Sequence, residues 1–124
     1  MDRAMKNMDQ QSLELEWKAL FSEVPRERMQ ACIDSCLSKL LHIEGHEGDE
    51  LLLTLETFVA CNGEINKLAS TLFIHRNTVA YRIGKLEKLL GMPLKHPDSL
   101  LRLKLAFLFR QMLTDSSSKH GLIQ

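Results

Sequence analysis

The sequence predicts an all-α fold of about six helices in one compact domain. The 124 residues contain only three prolines, and no segment alternates apolar and polar positions with β-branched residues as a strand does. Apolar residues instead recur at intervals of three and four, which is typical of helices. A chain of this length buries a sizeable core without disulfides or metal. We therefore expect a helical domain at 12–113, between a flexible segment at 1–11 and a flexible tail at 114–124.

Apolar spacing and helix-breaking residues predict the helices of the N-terminal half. The first helix is expected over residues 12–22, and Pro25 suits the first turn of a second helix that ends near Leu41. The segment HIEGHEGD then reads as a loop, in which Asp49 caps the next helix. That third helix is expected to end at Asn62-Gly63.

The C-terminal half predicts three more helices. A short helix over 65–72 is followed, after a break of three or four residues, by a longer helix over 76–90 that Gly91 closes. Asp98 is expected to cap a last helix, Ser99 to about Leu113, whose apolar residues cover much of its circumference.

Charge is divided unequally between the two halves. Residues 1–63 contain 6 Lys and Arg against 12 Asp and Glu, a net charge of −6, whereas residues 64–124 contain 10 against 4, a net charge of +6. A basic half within a neutral chain predicts an anionic partner for that half. The alternative is a protein-interaction module, in which the acidic half binds a basic partner.

The two helices within residues 64–90 fit a helix-turn-helix, because so short a break favours a crossed pair. The interior of such a unit needs small and apolar residues, and the matching positions are Leu68, Ala69, Leu72, Ile74, Val79 and Ile83. On a helical wheel the apolar residues of 76–90 share one side, and the opposite side carries Asn77, Tyr81, Gly84, Lys85 and Lys88. That arrangement predicts one face in the core and one face for the major groove of DNA.

A family resemblance rests on the segment HRNTVAYRIGKLEKLLG, with LLLTLETFVACNGEINKLASTLFI before it and LLRLKLAFLF after it. From about Leu40 to Leu113 the chain resembles the C-terminal DNA-binding domain of PucR/CdaR-type bacterial regulators, and its helix pair is similar to that of the nucleoid protein Fis. The most specific part is LFIHRNT, followed beyond Val79-Ala80 by Tyr81-Arg82. Ala80 and Gly84 depart from the pattern, since relatives usually carry charged or polar residues there.

The resemblance implies a transcription factor that binds double-stranded DNA at an operator. It also implies an effector-sensing region upstream of this domain, a possible homodimer, and a place in the bacterial cytoplasm at the nucleoid. The absence of a long apolar run in the sequence predicts no membrane partner.

The predicted DNA-contacting residues are Lys67, His75, Arg76, Asn77, Thr78, Tyr81, Arg82, Lys85 and Lys88. In the first turn of the reading helix, Arg76 suits guanine O6 and N7, and Asn77 suits adenine N6 and N7. Thr78 and the free amides at this helix start favour phosphate.

The other predicted contacts leave alternatives open. His75, at the N-cap, is expected to bond the first-turn amides or to face a phosphate, and Tyr81 to meet a phosphate or a thymine methyl group. The three lysines are better suited to neutralising the DNA backbone than to reading bases. Arg82 lies at the edge of the apolar face, so a structural ion pair competes with DNA contact.

Other chemistry has little support in the sequence. Cys32, Cys36, His42 and His46 have spacings that superficially suggest a metal site, but the cysteines fall on or beside an apolar stripe, where thiols pack as small apolar groups. No phosphate-binding glycine loop and no nucleophile–base arrangement occurs. We therefore predict no enzyme activity, no cofactor and no metal.

Overall fold

The structure, a computed structural model, describes the backbone of residues 16–123 and the side chains of residues 16–115. This part of the chain is all-α, as predicted, with six helical segments and no strand. The segments are α1 at 16–20, α2 (Arg26–Leu41), α3 (Gly45–Ala60), α4 (Ile65–Leu72), α5 (Arg76–Leu90) and α6 (Pro97–Ile123). The predicted flexible segment 1–11 and the start of the predicted helix 12–22 lie outside the described residues.

One apolar core joins the helices. α6 packs mainly against α2, while α5 contacts α2, α3 and α4. Leu37 of α2, Leu55 and Phe58 of α3, Leu86 of α5 and Leu103 of α6 are all fully buried in this core. The α4–α5 pair is therefore held on a scaffold formed by α2, α3 and α6.

α3 begins earlier than the sequence analysis predicted. The expected loop with Asp49 as cap was wrong, because α3 starts at Gly45, with Glu44 at the N-cap position and no side-chain cap hydrogen bond. Gly45 has a φ of 83°, which turns the chain directly into the helix. A Cβ on Gly48 would lie 2.1 Å from the carbonyl oxygen of Ile43, so only glycine allows this turn to close.

α6 also extends beyond its predicted ends. Its first residue is Pro97, so Asp98 lies in the first turn, and the expected cap at Asp98 was wrong. The ring Nδ1 of His96 accepts a hydrogen bond from the Asp98 amide at 3.2 Å instead. The helical backbone continues to Ile123 rather than ending near Leu113, since no proline or glycine occurs between Leu113 and Gly121 to stop it.

The turn between α4 and α5 has three residues, 73–75, in agreement with the predicted short connection. Phe73 ends α4 in the left-handed conformation, with φ 57° and ψ 43°. The Ile74 amide donates to the Ala69 carbonyl at 3.1 Å, a bond of the Schellman type that closes the helix end. Ala69 is buried, as expected for an interior residue of the helix pair.

No helix in the described part of the chain is both long and apolar enough to cross a membrane.

Candidate nucleic-acid interface

α5 has one buried face and one exposed face. Val79, Ile83 and Leu86 are buried between α5 and the scaffold. The opposite side carries Asn77, which is exposed, and Tyr81, whose side chain is 69% exposed. The apolar spacing of α5 causes this separation, because residues three and four apart lie on the same side of a helix.

A histidine ring caps the N-terminus of α5. His75 occupies the N-cap position, and its Nδ1 accepts a hydrogen bond from the Asn77 amide at 3.0 Å. A ring nitrogen that accepts carries no proton, so in the neutral ring the proton lies on Nε2. The exposed His75 thus caps the helix with one nitrogen and retains a donor on the other.

Two of the predicted DNA-contacting cations form ion pairs with α3. Lys85 Nζ donates to the carboxylate of Glu47, and its ammonium lies 6.0 Å from the centre of the Tyr81 ring. The hydrogen bond to Glu47 raises the pKa of Lys85 above its ordinary value, so this side chain is fully charged at neutral pH.

Arg82 is held more deeply than Lys85. Its guanidinium lies 3.6 Å from the Glu50 carboxylate and donates to the Thr54 hydroxyl at 3.4 Å, and only 20% of its side chain is exposed. Of the two alternatives left open by the sequence, this geometry favours the structural ion pair for Arg82. Glu47 and Glu50 were not predicted as partners, because nothing in the local sequence pairs α3 with α5.

The remaining predicted contacts are exposed. They are Lys67 on α4 and Arg76, Asn77, Thr78 and Lys88 on α5. Within the described residues, Lys67, Arg76 and Lys88 form no ion pair. These three cations are therefore not already neutralised by carboxylates of the described part of the chain.

A groove of about 630 Å³ runs beside the exposed face of α5. Asn77, Ala80 and Gly84 line it along the helix, and Ile65 and Lys95 line it from the neighbouring segments. Lys95 was missed by the sequence analysis, because it lies in the loop after α5 and belongs to no periodic pattern. Lys95 is exposed and adds a positive charge beside the exposed face of α5.

The cysteines do not assemble a metal site in the described part of the chain. No group of three or more His, Cys, Asp and Glu there is placed to hold an ion. Cys36 and Cys61 are buried, and Cys32 is partly buried. Burial, with a further contribution from Cys36, raises the pKa of the Cys32 thiol, which disfavours the thiolate that binds metals.

Comparison with known protein families identifies this helix pair. The family model of the PucR C-terminal helix-turn-helix domain matches residues 51–109. Residues 51–109 are a PucR-type helix-turn-helix domain. The match runs from the second turn of α3 through α4 and α5 into α6, so it includes the whole of α5. PucR-type domains belong to transcription regulators and are not an enzyme class.

Two curated relatives are similar to parts of this chain. The Purine catabolism regulatory protein of Bacillus subtilis is 35% identical over 91 residues, which cover 73% of this chain and 17% of the relative. An uncharacterized protein of the pkwA 5′ region in Thermomonospora curvata is 38% identical over 53 residues, covering 43% of this chain and 29% of the relative. The chain thus spans less than a third of the length of either relative. No solved structure matches it significantly.

The PucR-type match does not reach the acidic residues that hold Lys85 and Arg82. Glu47 and Glu50 precede the matched range by four residues and by one residue. The ion pairs therefore connect α5 to the first turns of α3, outside the matched segment.

Proposed function

We propose that residues 51–109 bind double-stranded DNA in a sequence-dependent manner, with α5 in the major groove. The observation that carries this proposal is the two-sided character of α5: an apolar face packed into the core and an opposite face of exposed hydrogen-bonding side chains. A helix diameter of about 10–12 Å fits a major groove about 12 Å wide.

The exposed side chains divide by their chemistry into readers and backbone contacts. Arg76 and Asn77 lie in the first turn, the part of a reading helix that meets base edges, and both have the bidentate geometry that purines accept. Tyr81 lies one turn further along the same face, where its ring suits a thymine methyl group and its hydroxyl suits a phosphate.

The backbone contacts surround these readers. Lys67, Thr78 and Lys88 are exposed around the reading face, and His75 has its Nε2 donor available for a phosphate. Lys85 is included as a contact that DNA must share with Glu47. Arg82 is assigned mainly to holding α5 against α3.

The PucR-type match supports a proposal for the biological setting. We infer that the domain serves a bacterial transcription regulator in the cytoplasm, joined to an effector-sensing region that precedes it. The name of the Bacillus subtilis relative associates that protein with purine catabolism, and regulation of catabolic genes is the corresponding proposal for this chain.

The test is binding to duplexes that the wild-type chain selects from a randomised pool, compared with the unselected pool by fluorescence anisotropy. We expect enrichment of a defined sequence, tighter binding to it, and a log affinity that falls with log salt by about 0.9 per phosphate contact. A protein-interaction module would enrich no sequence, and it would bind the selected duplex no more tightly than the unselected pool.

A further inference from the structure

Gly84 lies in the middle of α5, where the fold gives no reason for a glycine. Apart from the adjoining backbone of α5, a Cβ built on this residue would have no described atom within 4 Å, and Gly84 does not have a positive φ. Glycine is among the least favourable residues inside a helix, because it loses the most conformational freedom on folding. Gly84 therefore weakens α5 without any packing gain within the described chain.

The other described glycines show what a structural requirement looks like. Gly48 packs against the Ile43 carbonyl, where a Cβ would clash, and Gly45, Gly63 and Gly91 all have positive φ. These four positions require glycine for reasons within the chain. Gly84 has neither feature, so no described residue of the chain imposes a steric requirement for its missing side chain.

Gly84 and Ala80 lie one helical turn apart and open the groove beside the reading face. The rim of this groove is positive, with Arg76 at one end and Lys95 on the neighbouring loop. The one carboxylate on the lining, that of Glu87, already accepts a hydrogen bond from the Leu94 amide at 2.9 Å. Two cations, Arg76 and Lys95, outnumber the single carboxylate of Glu87 on the lining, so the groove has a net positive charge that suits a polyanion close to the α5 backbone.

We propose that Ala80 and Gly84 form the point of closest approach between α5 and the DNA, and that the groove receives one sugar–phosphate strand with Lys95 against it. This inference rests on the proposed function. The small side chains set the depth to which α5 enters the duplex, and they do so independently of base sequence. Gly84 accordingly lowers the stability of the free domain and raises the affinity for DNA.

The test uses the full 124-residue chain with Gly84→Ala, Gly84→Leu and Ala80→Leu, and Ala31→Leu as the control. Ala31 is exposed on α2, so this variant adds the same side chain away from α5. The probes are the duplex selected by the wild-type chain and the unselected pool, and the melting temperature is measured for every variant.

Gly84→Ala is expected to raise Tm by a few degrees while weakening binding to both probes about threefold. The two leucine variants should weaken binding about tenfold or more, because they overfill a close contact, and Ala31→Leu should bind as the wild type does. Lys95→Ala should reduce the salt slope by about 0.9.

The outcomes separate this inference from the proposed function. If the wild-type chain selects and binds a duplex and the Gly84 variants bind it equally well, the close approach is wrong while DNA binding stands. If Gly84→Ala lowers Tm, the space beside Gly84 is not free and the inference also fails. If the wild-type chain binds no duplex, the proposed function fails and the inference fails with it.

Discussion

Single residues on the exposed face of α5 differ in what they can recognise. Asn77 has an amide that can pair with one base in a bidentate manner, whereas Lys88 has a flexible charge that any phosphate satisfies. Neither side chain is bound by another described residue, and the cap at the helix start uses the Asn77 backbone rather than its amide group. Both residues can therefore be truncated without loss of the fold.

The first prediction separates base reading from backbone contact. Asn77→Ala should cost about 1–3 kcal/mol on the selected duplex and much less on the unselected pool, because it removes a base contact. Lys88→Ala should weaken both complexes by a similar factor and reduce the salt slope by about 0.9. Anisotropy titrations at several salt concentrations measure both effects, with circular dichroism as the fold control. Equal losses on the two probes for Asn77→Ala would show that Asn77 does not read a base.

The second prediction concerns the carboxylate that holds Lys85. Glu47→Gln should strengthen DNA binding and steepen the salt slope by up to about 0.9, because it releases one ammonium from its partner. Unfolding stability should change little, since the pair is at the surface and screened by solvent. Urea denaturation and binding titrations are the measurements.

Glu27→Gln is the matched control for this change. Glu27 is exposed in the first turn of α2, and the variant has the same net charge as Glu47→Gln. A gain in affinity of equal size in both variants would indicate an effect of total charge, and the specific competition between Glu47 and DNA would then be wrong.

At the scale of elements, the turn between α4 and α5 requires a left-handed backbone at a position where the sequence has a phenylalanine. The turn needs a left-handed residue at position 73, where glycine is the usual choice. Phe73 occupies this position, and its side chain is 92% exposed. Packing of the ring therefore offsets little of the free energy that the left-handed backbone costs. The crossed packing of Leu68, Ala69 and Val79 stabilises this turn in spite of its sequence.

The third prediction follows from this conflict. Phe73→Gly should stabilise the chain by about 0.5–1 kcal/mol, because glycine removes the Cβ strain, partly offset by greater freedom of the unfolded chain. Phe73→Ala is the control, since it removes the ring but keeps the Cβ. Urea denaturation should rank the glycine variant above the alanine variant. A glycine variant less stable than Phe73→Ala would mean that the turn is not strained.

For the whole molecule, the distribution of exposed apolar groups bears on assembly. The large apolar side chains exposed in the described part lie on α1 to α3, in the turn before α5, and on α5 and α6: Trp17, Leu20, Leu41, Leu53, Phe73, Tyr81 and Leu101. They come from six different places along the chain rather than from one amphipathic helix. This distribution does not resemble the apolar seam of a coiled-coil dimer.

The fourth prediction is that the 124-residue chain is a monomer or a weak dimer. Helix-turn-helix regulators commonly read two half-sites about 34 Å apart as dimers, so this chain should bind one half-site with one-to-one stoichiometry. Its affinity should not depend on the spacing of two half-sites. Sedimentation velocity at micromolar concentration and titration of duplexes with varied spacing are the measurements. A tight dimer in the absence of DNA would contradict it.

Apolar periodicity and turn residues in the sequence were sufficient for the all-α class and for the limits of α4 and α5. These features are local: the 3.6-residue repeat of Val79, Ile83 and Leu86 defines a buried face, and Gly91 ends α5 in the left-handed conformation that its sequence permits. The exposure of Asn77 and Tyr81 followed from the same repeat, since they lie opposite the buried face.

Only the tertiary structure determined which cations on that face are already paired with carboxylates of α3. Lys85 pairs with a carboxylate 38 residues earlier in the chain, and Arg82 bonds a hydroxyl 28 residues earlier, so no local pattern contains either partner. The early start of α3 depends likewise on the contact between Gly48 and the Ile43 carbonyl. A helical repeat specifies which side of a helix is buried, but only the packing of α3 against α5 determines which charges on the other side are already neutralised.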